Sequence, residues 1–284
     1  MTIQERLTAA AARLSAAGIA RDEAERDARF LARSVLGWDA ARLLAHSRDR
    51  QPRELELAYD ALIARRAARE PVAYLIGRQE FWGLSFEVSP AVLIPRPETE
   101  LIVEAAIALF PERAMPLRIA DVGTGSGCLA VTLAHERPHA DVVATDTSAD
   151  ALGIARRNAE RHRVADRIEF LRTDLLDAAD GPFDLIVSNP PYVPERDRAT
   201  LPPEVRDHEP ARALFAGSDG LTVIAGLLKQ ASVRLRPGGV LVMEFGFGQA
   251  PAVSSLIART GGLKEPQIRP DLQGIPRVMT ITRA

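Results

Sequence analysis

The residues with most capacity for chemistry are Asn189, Pro190, Pro191 and Tyr192, directly after the apolar run Phe183-Asp184-Leu185-Ile186-Val187-Ser188. Proline fixes φ and lacks an N–H, so this segment is stiff and its carbonyls can only accept hydrogen bonds. Asn189 adds a side-chain carbonyl and Tyr192 an aromatic face. The set suits a planar –NH2 group, with acceptors on its two hydrogens and a ring stacked on its π-face. Such a nitrogen is a poor nucleophile because its lone pair is delocalised. Acceptors on both N–H bonds favour the positive charge that develops on nitrogen during attack and is absent from the ground state. No strong general base is required.

These residues need a strand behind them. The run before Asn189 is short, rich in aliphatic residues and bounded by Gly181-Pro182 and the double proline, which predicts a buried parallel strand. Asn189 then sits at its carboxyl end, where open α/β sheets keep their ligand crevice. Upstream, Leu117 to Val122 predicts another strand, running into Gly123, Thr124, Gly125, Ser126 and Gly127, with a helix from Cys128 to Ala134. Alternate glycines let backbone turn tightly and approach a ligand. The spacing is not that of the dinucleotide fingerprint, and the Lys-Ser/Thr of a phosphate loop is missing. Asp121 before the glycines would repel a pyrophosphate and suits a cationic ligand instead. A strand from Asp141 to Thr145 ends at Asp146, whose carboxylate can accept two ribose hydroxyls. Another, Ile168 to Arg172, ends near Asp174, placed to meet an adenine amino group.

Strand, glycine loop, two acidic strand ends and Asn-Pro-Pro-Tyr, in that order, resemble the class I S-adenosylmethionine-dependent methyltransferases, in the branch that methylates planar nitrogens. That branch includes adenine-N6 and guanine-N2 nucleic-acid methyltransferases and glutamine-N5 protein methyltransferases. The motif specifies the chemistry and leaves the substrate open.

The rest of the chain narrows the choice. At 284 residues it has room for one large and one small domain. A net charge of −2 gives no global basic field, which weighs against nucleic acid. The single cysteine, Cys128, excludes an internal disulfide and fits a cytoplasmic location. Residues 1–70 read as a small all-helical domain with apolar residues at Leu7, Ala10, Ala11 and Leu14, then Ala28, Leu31, Ala32 and Val35, with Asp22 as a cap. Its 13 arginines against 11 acidic residues are too balanced for a nucleic-acid arm. Residues 71–95 contain an alternating stretch around Gly83 that predicts a β-hairpin linker, and 96–284 form the larger domain. No run is long and apolar enough to span a membrane, and the histidines show no metal-ligand spacing.

Pro71-Val72-Ala73-Tyr74-Leu75-Ile76-Gly77 and Leu93-Ile94-Pro95-Arg96-Pro97-Glu98-Thr99-Glu100 resemble the bacterial peptide chain release factor glutamine methyltransferases, and Asp27-Ala28 to Leu36-Gly37 fits their helical domain. The resemblance implies a Rossmann-like class I domain whose mostly parallel seven-stranded sheet ends in an antiparallel hairpin. It implies methyl transfer from S-adenosylmethionine, giving S-adenosylhomocysteine, to the glutamine amide N5 in the Gly-Gly-Gln loop of class 1 release factors. The expected partner is that protein alone, with no nucleic acid, no membrane and a monomeric enzyme. The helical domain would help hold the release factor. Gly123, Thr124, Gly125, Ser126 and Gly127 would contact the methionine part, Asp146 the ribose, and Asp174 and Leu175 the adenine. Asn189 to Tyr192 would bind the amide, with Asn189, Pro190 and Tyr192 catalytic and Asn189 also near the cofactor. Leu175 stands where family members often carry an aromatic residue. Arg96 reads equally as a loop brace or a substrate contact, and His208, in the loop after the motif, is a lesser candidate for one. A related enzyme acting on a ribosomal-protein glutamine, or a nucleic-acid N-methyltransferase, is the alternative.

Overall fold

In the computed structural model, which describes all 284 residues, the apolar spacing of the first segment becomes a helical core. Helix α1 (Ile3–Ala16) buries Ile3, Leu7, Ala10 and Leu14 and opens with a capping box between Thr2 and Glu5. Helix α2 (Arg21–Leu36) buries Ala24, Ala28, Leu31 and Ala32. Its N-cap is Ala20; Asp22, expected to cap, lies in the first turn, where its charge still faces the positive helix end. Gly37 ends α2 in the left-handed conformation, and Asp39 caps α3 (Ala40–Ala45) by accepting from the Arg42 N–H. Helix α4 (Arg53–Ala67) contributes Leu55, Tyr59 and Ile63, and the short α5 (Val72–Ile76) completes the set.

The β-hairpin occupies β1 (Arg78–Phe81) and β2 (Leu84–Glu87). Asn158 fastens it: the Asn158 Oδ1 accepts from the Glu87 N–H, while its Nδ2 donates to the carbonyls of Glu87 and Ser126. After α6 (Glu100–Leu109) come β3 (Arg118–Val122), α7 (Cys128–Glu136), β4 (Asp141–Asp146), α8 (Ala149–Arg161), β5 (Ile168–Arg172) and β6 (Phe183–Ser188). The polar stretch 193–210 contains a 3₁₀ turn at Glu195–Thr200 and α9 (Pro203–His208). Helix α10 (Thr222–Arg234), β7 (Leu235–Glu244), α11 (Ala250–Thr260) and the hairpin β8 (Gln267–Pro270) and β9 (Pro276–Thr282) close the chain. Arg277 of β9 pairs with Asp271 across that turn at 3.2 Å.

The sheet order is β5-β4-β3-β6-β7-β9-β8, parallel from β5 to β7 and antiparallel for the last two. Helices cover both faces, with separate cores beneath α6 to α8 and beneath α10 and α11. The strand order runs outward from β3 to β5 and then restarts at β6 on the other side of β3. The crevice of such a sheet forms at that reversal, outside the carboxyl ends.

The chain divides into two compact units, Met1–Gly77 with Pro202–His208, and Arg78–Leu201 with Glu209–Ala284. The second passage through the helical unit is anchored by Arg66, only 2% exposed. Its guanidinium bonds Asp27 at 2.6 Å, Glu23 at 2.7 Å and Glu204 of α9 at 2.9 Å. Burial pulls the Arg66 pKa down, and its bonds to Asp27 and Glu204 outweigh that, leaving it raised.

Candidate active site

The reversal between β3 and β6 places the glycine loop and the Asn-Pro-Pro segment side by side. Asp121 pairs with Val187 in register, so each strand leaves the sheet within two residues of its neighbour. The Ser188 hydroxyl donates to the Val122 carbonyl at 2.7 Å and ties the two ends together. Between them opens a cavity of about 280 Å³. Gly123 to Ser126, Asp146, Asp174, Leu175, Asn189, Pro190 and Pro191 all line it. Gly127 and Tyr192 do not.

Gly127 shapes the loop from behind. It has φ +81°, and an added Cβ would lie 3.0 Å from the Ala155 side chain, so only glycine lets α8 approach the loop. Asp121 holds the loop from below: one carboxylate oxygen accepts from the Thr124 hydroxyl at 2.6 Å and the Ala130 N–H at 3.0 Å. Its other oxygen, Oδ1, is buried without a partner. Burial pushes the Asp121 pKa up to about 7, against the pull of those two hydrogen bonds. At the end of β4, Asp146 accepts from the N–H groups of Gly125 and Ser148, one on each oxygen, which leaves acceptor capacity on both.

Asn189 is held by its nitrogen. Its Nδ2 donates to the Thr99 hydroxyl at 2.9 Å, and that hydroxyl donates to Glu244 at 2.7 Å. The Asn189 Oδ1 accepts nothing within the chain. Tyr192 is placed differently from a ring stacked over a ligand: its hydroxyl donates to the other Glu244 oxygen at 2.9 Å, and its ring packs beside Gly246. The Gln249 Nε2 grips the Tyr192 carbonyl at 3.0 Å, fixing where the motif ends. Glu244 is 2% exposed with no cation within bonding distance. Burial raises its pKa, opposed by the bonds from Thr99 and Tyr192.

Arg96 braces rather than points inward. It pairs with the buried Glu209, which also accepts from the Ile94 N–H at 3.2 Å, so one carboxylate joins the segment before α6 to the end of the loop after the motif. Pro95, Thr99, Pro210, Arg212 and Ala213 consequently reach the cavity wall. His208 bonds the Ala68 carbonyl inside the helical unit and is absent from that wall. Burial pushes the Cys128 thiol up to about 12, which keeps it unreactive.

Thr99 and Glu244 were not expected as site residues. Glu244 had a usable signal: it ends an apolar run, as Asp146 does, on the strand beside the one carrying Asn189.

Two family models match: the PrmC N-terminal domain over residues 5–77 and the methyltransferase small domain over 102–201. Among curated proteins, the release factor glutamine methyltransferase of Bradyrhizobium diazoefficiens is 45% identical, covering 95% of this chain and 91% of its own length. That of Cereibacter sphaeroides is 44% identical over 99% and 98% of the two chains. Among solved structures, the hMettl16 catalytic domain in complex with MAT2A 3′UTR hairpin 6 shares the fold at 18% identity, with TM-score 0.57 and coverage of 77% and 81%. With relatives this similar along nearly its entire length, the chain belongs to the release factor glutamine methyltransferase family.

Proposed function

We propose that this protein methylates the side-chain amide N5 of the glutamine in the Gly-Gly-Gln motif of class 1 peptide chain release factors, with S-adenosylmethionine as donor. The observation that carries this reading is the free Oδ1 of Asn189 at the wall of a cavity shared with the glycine loop and Asp146. The residues present fit the donor. Asp121 offers a buried, unpartnered oxygen toward a cationic group, and Asp146 retains acceptor capacity for a ribose. Asp174 and Leu175 form the far wall for the adenine, with an aliphatic contact in place of an aromatic one. Bound there, S-adenosylmethionine supplies an electrophilic methyl group on a sulfonium.

The chain's own residues prepare the nucleophile. Asn189 Oδ1 accepts one amide N–H and the Pro190 carbonyl the other, so positive charge growing on nitrogen meets two fixed dipoles. Pro190 and Pro191 hold that geometry without N–H groups that would compete for the substrate. Tyr192 acts from behind, through Glu244.

In the helical unit, Phe30 and Leu44 are exposed beside Arg26, Arg29 and Arg33 around a surface groove. Of these arginines only Arg29 reaches a carboxylate, Glu25 at 3.7 Å. This groove suits an apolar segment of the release factor flanked by acidic residues, which supports reading the helical unit as the docking module.

The test is incubation with labelled S-adenosylmethionine and a release factor, the same factor with Gly-Gly-Gln changed to Gly-Gly-Ala, a ribosomal protein fraction and total RNA. Label on the unaltered factor but not the altered one fixes donor, acceptor and residue together. Label on ribosomal protein or RNA alone overturns the partner.

A further inference from the structure

The polarity of one hydrogen-bond chain decides which end of the Asn189 amide faces the cavity. The Glu244 carboxyl accepts at both of its oxygens, from the Thr99 hydroxyl on one and the Tyr192 hydroxyl on the other. The Thr99 hydroxyl, 2.7 Å from one Glu244 oxygen, must therefore spend its single proton there. Its oxygen is then left to accept, and its other near neighbour is Asn189 at 2.9 Å. The neighbour must be the NH2 end, since two acceptors cannot bond each other. The carbonyl end is turned to the cavity as a result. The second Glu244 oxygen accepts from the Tyr192 hydroxyl.

We propose that Glu244, acting through Thr99, is the positioning residue that orients the Asn189 amide. The proposal rests on the reading of Asn189 as an acceptor for the substrate amide. Neither Glu244 nor Thr99 needs to touch the reacting nitrogen. Without this relay the two orientations of an asparagine side chain are close in shape, and half the molecules would present a donor where an acceptor is needed.

Glu244→Gln gives an unusual prediction. Its amide has an acceptor end for the Tyr192 hydroxyl and a donor end for the Thr99 oxygen. That arrangement satisfies every partner, and it reverses the chain: the Thr99 hydroxyl now donates to the Asn189 oxygen and turns the NH2 end into the cavity. E244Q should fold normally, bind S-adenosylmethionine within about twofold of the unaltered protein, and lose turnover by about 100-fold, the scale of losing one such bond at a reacting group. Thr99→Val removes the relay and leaves the amide unbiased, costing about twofold, while Thr99→Ser restores it. The decisive variant is the pair. T99V added to E244Q frees an amide held the wrong way and recovers activity, whereas a purely structural Glu244 makes the pair worse than either alone.

A reading independent of turnover accompanies these rates. The side-chain 15NH2 signal of Asn189, assigned by its loss in Asn189→Ala, should exchange slowly with solvent in the unaltered protein and in T99S, and rapidly in E244Q. If the protein methylates no release factor, the substrate assignment fails and this signal alone judges the relay. Unchanged exchange in E244Q, or a double variant less active than E244Q, overturns the proposal.

Discussion

Arg66 in the helical unit and the carboxylates of Asp121 and Glu244 in the catalytic unit are all buried ionisable groups, and they are satisfied in opposite ways. Three carboxylates surround Arg66, so its charge is neutralised and every direction of its guanidinium is used. Asp121 and Glu244 are met by hydroxyls and a backbone N–H, with no cation at bonding distance and, for Asp121, one oxygen unpartnered. The first arrangement closes a structure. The second leaves Asp121, at the cavity wall, with an acceptor unused and Glu244 joined through Thr99 to Asn189. Buried polarity thus separates scaffold from site better than burial itself does.

The comparison is broken most directly at Asn189. Asn189→Ala should lower turnover by about 100- to 1000-fold while sparing S-adenosylmethionine affinity, measured by single-turnover rates and calorimetry. Arg66→Ala should do the reverse. It strands the partly buried carboxylate of Asp27 and leaves Glu204 with Arg69 alone, and should cost about 3 kcal/mol of stability in urea denaturation, with turnover per folded molecule little changed. Should that variant prove as stable as the parent, the contrast between the two units fails.

A smaller effect follows from the Asp121 pKa, raised from an ordinary 3.8 to about 7. Its folded form holds a proton that the unfolded chain has already released. This contribution to stability is fully present below the ordinary value and is lost as pH rises through about 7. Binding of a cation beside Asp121 prefers the ionised form, so S-adenosylmethionine affinity should rise about tenfold between pH 6 and pH 8. Asp121→Asn should flatten both profiles. The smallest effect is expected at the groove of the helical unit, where Phe30→Ala should raise KM for the release factor about two- to fivefold and leave kcat alone.

Sequence and structure agree where a function sits in consecutive residues. Asn189-Pro190-Pro191, the glycine loop and Asp146 each carry their chemistry locally, and the β-α alternation places them at strand ends, so they could be read without coordinates. Thr99 and Glu244 are 145 positions apart and meet only because the segment that opens α6 packs against β7. No local pattern encodes that packing. Tyr192 shows the same limit, since its ring was legible as aromatic but its direction was set by Glu244. The membership of Pro202–His208 in the helical unit was hidden for a similar reason, a pairing of Arg66 with Glu204 across 138 positions.

That last feature bears on how such a protein can be recombined. The helical unit is assembled from two stretches of chain, and its buried arginine draws one of its three carboxylates from the second. A chimera exchanging only residues 1–77 between relatives would inherit Arg66 from one parent and Glu204 from the other. Exchanges meant to move the whole helical unit therefore need to carry Pro202–His208 as well, and the unit is inherited as an interleaved pair of segments rather than as a detachable head.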